Sequence, residues 1–299
     1  MRQIVSYIRD YFRQVNKWVL VLCTVQTAIL IFLNYNYSLE KNLISGIPLA
    51  GYYFLFLFAF ALPYFFVSKF ENKNLFGEKE FLWLLLIAPM IFALKMSVKT
   101  DFHFTADKSW NIYWNKVLYW PLRLILLVPI LYLVWKWRDS DQPFYGLTAK
   151  NFNWKPYLLM LLIMLPLIAA ASTQKDFLHM YPRMQSIVSN DAALNPFHRI
   201  LFELSYGSDF FGIELFFRGF LVLAFIKIAG KDAILPMACF YCTIHFGKPL
   251  GECISSYFGG IILGIVVSNT RSIWGGLMVH LGIAWMMEIG GFIGNSLIK

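Results

Sequence analysis

The stretch FFGIELFFRGFLVLAF, residues 210–225, contains only two charged residues, Glu214 and Arg218. The other residues are apolar enough for a helix that lies inside a membrane. A charged side chain at the centre of a bilayer costs roughly 3 kcal/mol or more, so such residues usually mark functional sites. Glu214 and Arg218 are four residues apart, which places both on one face of a helix. The stretch therefore predicts a transmembrane helix with a functional or a structural ion pair.

Two further apolar stretches each hold one histidine. LPMACFYCTIHF, residues 235–246, nearly ends with His245, and SIWGGLMVHLGIAWMM, residues 272–287, holds His280 in its middle. An imidazole at membrane depth needs hydrogen-bond partners, so both side chains are expected to face the inside of a helical bundle. One carboxylate, one guanidinium and two imidazoles on three helices are the parts of a buried metal site or proton-transfer site.

We predict that Glu214, Arg218, His245 and His280 form one catalytic site. Glu214, His245 and His280 are the predicted ligands of a divalent metal ion, with zinc as the first candidate. Simpler interpretations stay open, because Glu214 and Arg218 could pair only to fix helix packing and His245 could cap a helix end. Glu288 lies eight residues after His280 and shares roughly the same helix face, so it either joins the site or lies near the end of the span.

The composition predicts a protein of the membrane. Of 299 residues, 59% are hydrophobic and 14% are charged, and the mean hydropathy is +0.58. A soluble domain carries about a quarter charged residues. The net charge of +9 lies mostly in short loops between apolar runs. We therefore interpret it as a topology signal rather than a nucleic-acid surface, and predict the lipid bilayer and a membrane peptide or protein as partners, with no nucleic acid.

Nine apolar stretches approach the length of about 20 residues that a transmembrane helix needs. We therefore predict an all-α, polytopic transmembrane helical bundle with eight or nine spans. The seventh and eighth stretches are short, which predicts tilted or broken helices or helices partly buried in protein. The predicted spans are 18–35, 47–67, 81–97, 117–135, 156–172, 201–227, 233–246, 254–268 and 273–294.

Basic residues precede the first span and follow the fourth, sixth and eighth spans. With nine spans these groups fall on one side, which the excess of Lys and Arg in cytoplasmic loops makes the inside. The N-terminus is then predicted inside and the C-terminus outside. The longest polar interruption, residues 173–200, is predicted to be an extracytoplasmic loop with short interfacial helices that could cover a site.

The remaining reactive or ionisable residues carry weaker signals. Cys239 and Cys242 have C-x-x-C spacing but lie in an apolar helix, which favours small buried side chains over a redox or metal pair. Asp209 and Glu203 are predicted near the membrane interface. The histidines outside the apolar spans are predicted to be solvated in loops; they are His103, His179 and His198.

Three motifs in this region resemble those of the CPBP family, the CAAX protease and bacteriocin-processing (Abi) group of intramembrane metalloproteases. They are GIELFFRGFLV (212–222), IHFGKP (244–249) and SIWGGLMVHLGIA (272–284). The shared pattern is E-x-x-x-R-G, then an aromatic residue four positions before a His, then a His in the last helix. The resemblance covers about residues 200–290. Upstream, YGLTAKNFNWKPYL (145–158) resembles the segment before the core in bacterial members.

The resemblance implies N-terminal transmembrane helices over residues 1–155 and a CPBP-like core bundle over residues 156–299. It also implies an intramembrane endopeptidase in which Glu and His activate a water, or a metal-bound water, to cleave a peptide at or near the membrane. A bacterial plasma (inner) membrane is the implied location.

This chain departs from the family at two polar positions. The family's first motif begins E-E, and the first of these carboxylates is replaced here by Ile213. The last motif has Asn or Asp four residues after the His, and here that residue is Ala284. An Ile cannot polarise water and an Ala cannot donate to an oxyanion. Either Glu214 or Glu288 then acts as the base, or the chain is a family member without proteolytic activity.

Three functions therefore stay open from the sequence. The first is metal-dependent cleavage of membrane-embedded or membrane-proximal peptides, which the retained Glu214, Arg218, His245 and His280 favour. The second is a catalytically degenerate scaffold, chaperone or immunity factor, which Ile213 and Ala284 favour. The third is a transporter or proton pathway, because buried Glu and His also serve proton relays. The chain has no paired inverted repeats, which argues against the third.

Overall fold

The computed structural model describes residues 2–150, 152–187 and 195–298. These residues form helices and connecting loops without any strand, so the predicted all-α helical bundle is confirmed. Two helices change to the wider π-helical form, α6 at Trp135–Asp139 and α10 at Leu215–Ala224. The α-helices are α1 Arg2–Gln14, α2 Lys17–Tyr37, α3 Leu39–Ile44, α4 Pro48–Phe70, α5 Lys79–Ser97, α6 Lys108–Val134, α7 Lys155–Ala171, α8 Lys175–Met180, α9 Arg183–Ile187, α10 Pro196–Glu214, α11 Ile226–Ala229, α12 Ile234–Thr243, α13 Leu250–Thr270 and α14 Trp274–Ile298.

Six helices within the described ranges are long and apolar enough to cross a membrane, and the protein is an integral, multi-pass membrane protein. They are α2, α4, α5, α6 with its π continuation, α13 and α14. The predicted short span 254–268 is in fact a helix of 21 residues, because the turn at Gly247–Pro249 ends just before it.

The other three predicted spans are helical but shorter or interrupted. The stretch 156–172 forms α7, which has 17 residues. The stretch 233–246 forms α12, which has only 10 residues and ends in tight turns that include His245. The stretch 201–227 lies in α10, its π continuation and α11, and it carries several ionisable residues. These helices pack against other helices of the bundle, which provides part of the apolar environment that a short helix needs.

An aromatic core joins the early helices to the late ones. Phe56 on α4 and Phe92 on α5 lie 4.8 Å from Phe240 and Phe216 respectively, measured between ring centroids. Phe60 packs edge-on against Phe225 in the same core. Aromatic pairs at these distances add about 0.5–1.5 kcal/mol each beyond the burial of their surface. The π-helical segment is therefore held on one side by α4, α5 and α12.

The loop between α6 and α7 holds the other side of the π-helical segment. Asp139 is fully buried, and it accepts a hydrogen bond from the Tyr145 hydroxyl at 3.0 Å and pairs with Lys227 at 2.8 Å. Gly219 lies against this loop so closely that an added Cβ would fall 2.5 Å from the carbonyl oxygen of Tyr145. A glycine at position 219 therefore allows the helix and the loop to make contact.

The polar interruption forms two short helices, α8 and α9, as predicted, while residues 188–194 lie outside the described part of the chain. Tyr181, between these helices, donates its hydroxyl hydrogen to Glu252 on α13 at 2.9 Å and accepts a hydrogen bond from Lys248 at 2.9 Å. Asn295 on α14 donates to the Tyr181 carbonyl at 2.9 Å. Burial raises the pKa of Tyr181 and lowers that of Lys248, although Glu252 opposes the shift at Lys248. These hydrogen bonds attach the segment that contains α8 and α9 to the start of α13 and the end of α14.

Candidate active site

Glu214 and Arg218 lie at the point where α10 changes to the π-helical form. Both side chains are fully buried, and Arg218 Nη1 lies 3.3 Å from Glu214 Oε1. An uncompensated charge at this depth would be costly, so each side chain stabilises the charged form of the other. π-Helical segments occur frequently at functional sites because they change which side chains a helix presents. Glu214 is the last residue before that change.

His280 on α14 is hydrogen-bonded to the same carboxylate. Its Nδ1 lies 2.9 Å from Glu214 Oε1, and its side chain is 13% exposed. A carboxylate only accepts hydrogen bonds, so Nδ1 carries the hydrogen and Nε2 of the neutral ring carries the lone pair. Phe210, one turn before Glu214, packs edge-on against the imidazole with ring centroids 4.7 Å apart. The carboxylate and the phenyl ring together fix the orientation of His280.

Tyr241 on α12 completes the chain of polar contacts. Its hydroxyl lies 3.2 Å from Nε2 of His280, where it donates to the lone pair. The guanidinium carbon of Arg218 lies 3.9 Å from the centre of the Tyr241 ring, the geometry of a cation–π contact. Tyr241 is buried, so its hydroxyl needs a partner of this kind.

His245 is brought to the site through Tyr241. The two ring centroids are 4.7 Å apart, and Nδ1 of His245 lies 3.1 Å from the Tyr241 carbonyl oxygen. That bond spans four residues within the same chain segment and orients the ring at the end of α12. The structure therefore joins Glu214, Arg218 and His280 directly and places His245 one residue further out.

A divalent metal ion does not fit the side chains as they are arranged here. Among the described residues, no group of three or more His, Cys, Asp or Glu side chains is placed to hold a metal ion. Both ring nitrogens of His280 are hydrogen-bonded to protein groups, and Nδ1 of His245 is bonded to a carbonyl. The zinc ligation predicted for Glu214, His245 and His280 stays a prediction from the sequence, and no step below depends on it.

The buried ion pair keeps unused hydrogen-bonding capacity. Glu214 Oε2 and all three guanidinium nitrogens of Arg218 are buried and lack a hydrogen-bond partner within the described structure. Gly276 on α14 faces this carboxylate, and an added Cβ there would collide with Glu214 Oε2. Buried polar atoms are normally satisfied, so these atoms are suited to bind a water or a polar group of a substrate.

A cavity of about 420 Å³ lies between the two helices that carry the site. Trp285 and Glu288 line it, five and eight residues beyond His280 on α14, which is about 7 and 12 Å along the helix. Glu203 lines it from α10. Glu288 accepts hydrogen bonds from the backbone N–H of Arg183 at 2.9 and 3.1 Å, so it lies at the cavity and not in the site.

Sequence reasoning missed a second set of buried charges. Lys95 on α5 is 1% exposed and pairs with Asp209 on α10 at 2.7 Å. Arg123 on α6 donates to the Lys95 carbonyl at 2.9 Å. Asp209 was predicted near the interface, but its partner is buried in the bundle. Lys95 and Arg123 lie inside predicted spans, so the same rule that selected Glu214 could have found them.

Two smaller predictions had different outcomes. His198 was predicted in a solvated loop, but it lies in the first turn of α10, with its ring 4.8 Å from that of Trp110. All four cysteines are free and buried, as predicted for Cys239 and Cys242, and Cys242 lies beside Cys253 of α13, with the two sulfurs 3.8 Å apart.

The family model of type II CAAX prenyl endopeptidase Rce1-like proteins matches residues 206–286. No curated protein and no solved structure matches the chain. The matched segment begins at Tyr206 on α10 and ends at Met286 on α14, so it contains Glu214, Arg218, Tyr241 and both site histidines. The resemblance of the three motifs to the CPBP family is thereby confirmed, and the similarity extends over residues 206–286.

Proposed function

We propose that this protein is an intramembrane peptidase that hydrolyses membrane-embedded or membrane-proximal peptides, with His280 as the general base. The observation that carries the proposal is the 2.9 Å hydrogen bond from His280 Nδ1 to Glu214 Oε1. It fixes the tautomer in which Nε2 carries the lone pair that accepts a proton. A positioned general base contributes about 10²–10⁴-fold to the rate of hydrolysis.

The chain's own residues supply most of the steps of such a reaction. Glu214 holds the imidazole in place and stabilises the imidazolium that forms when Nε2 takes a proton from water. Arg218 pairs with Glu214 within the bundle, and its unbonded N–H groups are available to donate to the oxygen that gains charge on the peptide carbonyl. Nε2 then returns the proton to the leaving nitrogen, and that proton departs with the amine product.

The cavity between α10 and α14 supports a peptide substrate. It is lined mainly by apolar side chains that include Trp285, Ile289 and Phe292, and it begins about one and a half turns from His280 along α14. Because the matched family is named for CAAX prenyl endopeptidases, we propose peptides that end in a C-a-a-X motif with an isoprenylated cysteine as the first substrates to test. The proposed location is a bacterial plasma (inner) membrane, and the proposed core is residues 156–299.

The test uses the full chain in liposomes with an equimolar peptide library, half of which carries an isoprenylated C-terminal motif. The other half consists of unmodified transmembrane peptides, and products are read by mass spectrometry. The wild-type protein is expected to cleave peptides from one half of the library. The His280→Ala variant is expected to cleave no peptide from either half. A His179→Ala variant is the matched control, because His179 lies exposed on α8 away from the site. Equal cleavage by wild type and His280→Ala would exclude the proposal.

Zinc remains a proposal from the resemblance and is tested separately. Metal analysis of purified wild-type protein and of His280→Ala decides it: one equivalent of zinc in wild type that is lost in the variant would support the ligand set Glu214, His245 and His280, against the arrangement of side chains described above. If wild-type protein cleaves peptide without bound metal and in the presence of a chelator, zinc is excluded as a cofactor. The role of His280 as general base would then still stand.

A non-catalytic scaffold, chaperone or immunity factor on the same fold is the second candidate. The observation that favours it is the packing of Ala284, which is buried among Phe202, Tyr206 and Phe210 and offers no polar group to a substrate. Ile213 likewise packs against the main apolar core. In the library experiment, this function predicts stable retention of a peptide without any cleavage, in both wild type and Ile213→Glu.

A further inference from the structure

We propose that Tyr241 is the group of this site that contacts the attacking water, and that its hydroxyl relays the proton from that water to His280. The inference rests on the proposed hydrolysis and extends it to a residue that the family pattern does not assign. In that pattern the residue four positions before His245 is an aromatic residue, so the pattern assigns no role to the hydroxyl of Tyr241.

The geometry places the phenol at the end of a line of hydrogen bonds. Glu214 Oε1 accepts from Nδ1 of His280 at 2.9 Å, and Nε2 of the same ring accepts from the Tyr241 hydroxyl at 3.2 Å. The Nε2 lone pair is therefore occupied by the phenol and does not face a water directly. A proton that reaches Nε2 in this arrangement has to arrive through Tyr241.

Arg218 makes the phenol suitable for this role. Its guanidinium lies over the Tyr241 ring at 3.9 Å, where it fixes the ring and stabilises negative charge that develops on the oxygen. Ile213 and Ala284 offer no hydrogen-bonding side chain, so among the positions of the three motifs Tyr241 supplies the hydroxyl closest to the base.

The relayed step balances without any further reactant. The water oxygen forms a bond to the peptide carbonyl carbon, and the π electrons of the carbonyl move to its oxygen. At the same time one water proton moves to the Tyr241 oxygen, while the original Tyr241 proton moves to His280 Nε2. When the carbonyl re-forms, the C–N bond breaks, and the proton on His280 returns through Tyr241 to the leaving nitrogen.

The first test is a proton inventory of wild type, in single-turnover reactions with the library peptide that wild type cleaves fastest. Two protons in flight predict a curved dependence of the cleavage rate on the fraction of D₂O, because both transfers contribute an isotope effect. A linear dependence would mean that one proton moves, and would overturn the relay. This measurement needs no substitution, so a folding defect cannot obscure it.

The second test compares Tyr241→Phe with Tyr257→Phe, which removes a buried hydroxyl on α13 that contacts Thr24 at 3.1 Å. We expect Tyr241→Phe to lower kcat about 10²-fold, with KM within about twofold and an unchanged melting temperature. Tyr257→Phe should leave kcat unchanged. A Tyr241→Phe enzyme with wild-type kcat, or with a changed KM only, would overturn the proposal.

A third test introduces Ile213→Glu both into the wild-type protein and into the Tyr241→Phe variant. If the new carboxylate supplies a base of its own, Tyr241→Phe should cost less in that background than in wild type. Equal losses in both backgrounds would show that the hydroxyl acts structurally. Absence of cleavage by wild type and by Ile213→Glu would refute the peptidase itself, an outcome distinct from an active enzyme that does not need Tyr241.

Discussion

Two buried ion pairs involve the helix α10, and they are built differently. Glu214 and Arg218 are both on α10 and its π continuation, while Asp209, five residues before Glu214, pairs with Lys95 on α5. Both pairs lie among apolar helices, so each is costly unless its charges compensate one another. Arg123 joins the second pair by donating to the Lys95 carbonyl.

The surroundings of the two pairs differ in what they allow. The Glu214 pair contacts an imidazole and a phenol and keeps unbonded N–H groups. The described contacts of the Lys95 pair include another cation, a backbone carbonyl and the ring of Phe92. Charge at membrane depth therefore identifies functional candidates, but a direct hydrogen bond to an imidazole separates the Glu214 pair from the Lys95 pair.

The largest effect is expected from Glu214→Gln. An amide at position 214 can donate to His280 Nδ1 and thereby favour the wrong tautomer, so peptide cleavage should fall about 10²–10⁴-fold. Glu252→Gln, which changes a carboxylate bonded to Tyr181, should retain most activity. Cleavage rates in liposomes measure both. A Glu214→Gln protein as active as wild type would remove the chemical distinction between the two ion pairs.

Arg218→Ala should lower the free energy of unfolding by about 3–5 kcal/mol, because it leaves Glu214 buried without its partner. Unfolding in mixed micelles, followed by circular dichroism, measures the change. Arg271→Ala is a suitable control, since Arg271 is exposed at the turn between α13 and α14. An unchanged unfolding curve for Arg218→Ala would show that the Glu214–Arg218 pair is hydrated.

Gly276→Ala should displace the Glu214 carboxylate, because the new methyl group would collide with Oε2. A displacement of about 1 Å can cost about 10²-fold in rate, so cleavage should fall by roughly that factor, with little loss of stability. Gly259→Ala on α13 meets no atom within 4 Å and should behave as wild type. If the two alanine variants cleave equally, the tight contact at Gly276 does not position Glu214.

The smallest effect is expected from replacing the second pair as a whole. Lys95→Met combined with Asp209→Leu should change stability by no more than about 1 kcal/mol, since apolar side chains of similar size often replace a buried ion pair without loss. Cleavage should stay within about threefold of wild type. A large loss of cleavage in a stable double variant would give the Lys95–Asp209 pair a chemical role.

The sequence was sufficient to predict the fold class and part of the candidate site. Apolar composition and span length predicted the helical bundle, and the cost of charge at membrane depth selected Glu214, Arg218 and His280, which do lie in contact. These inferences need only the properties of single residues and their spacing on one helix.

The remaining features depend on how separate helices approach one another. The Tyr241 hydroxyl becomes important only because α12 and α14 bring it to His280, which no spacing within one helix shows. Lys95 and Asp209 are far apart in the chain, so their pairing could not be read from either span. The short α12 was overestimated because its apolar run continues through the turns around His245.

Two glycines on the helices that carry this site contribute a property that an inventory of functional groups would overlook. At Gly219 and Gly276 the missing methyl group is the contribution, since it makes room for a backbone oxygen in one case and a carboxylate in the other. Searches for similar sites in unrelated folds should therefore require a glycine whose backbone lies against the buried carboxylate. In this protein, the absence of a side chain at these two positions is part of the geometry of the bundle around the candidate site.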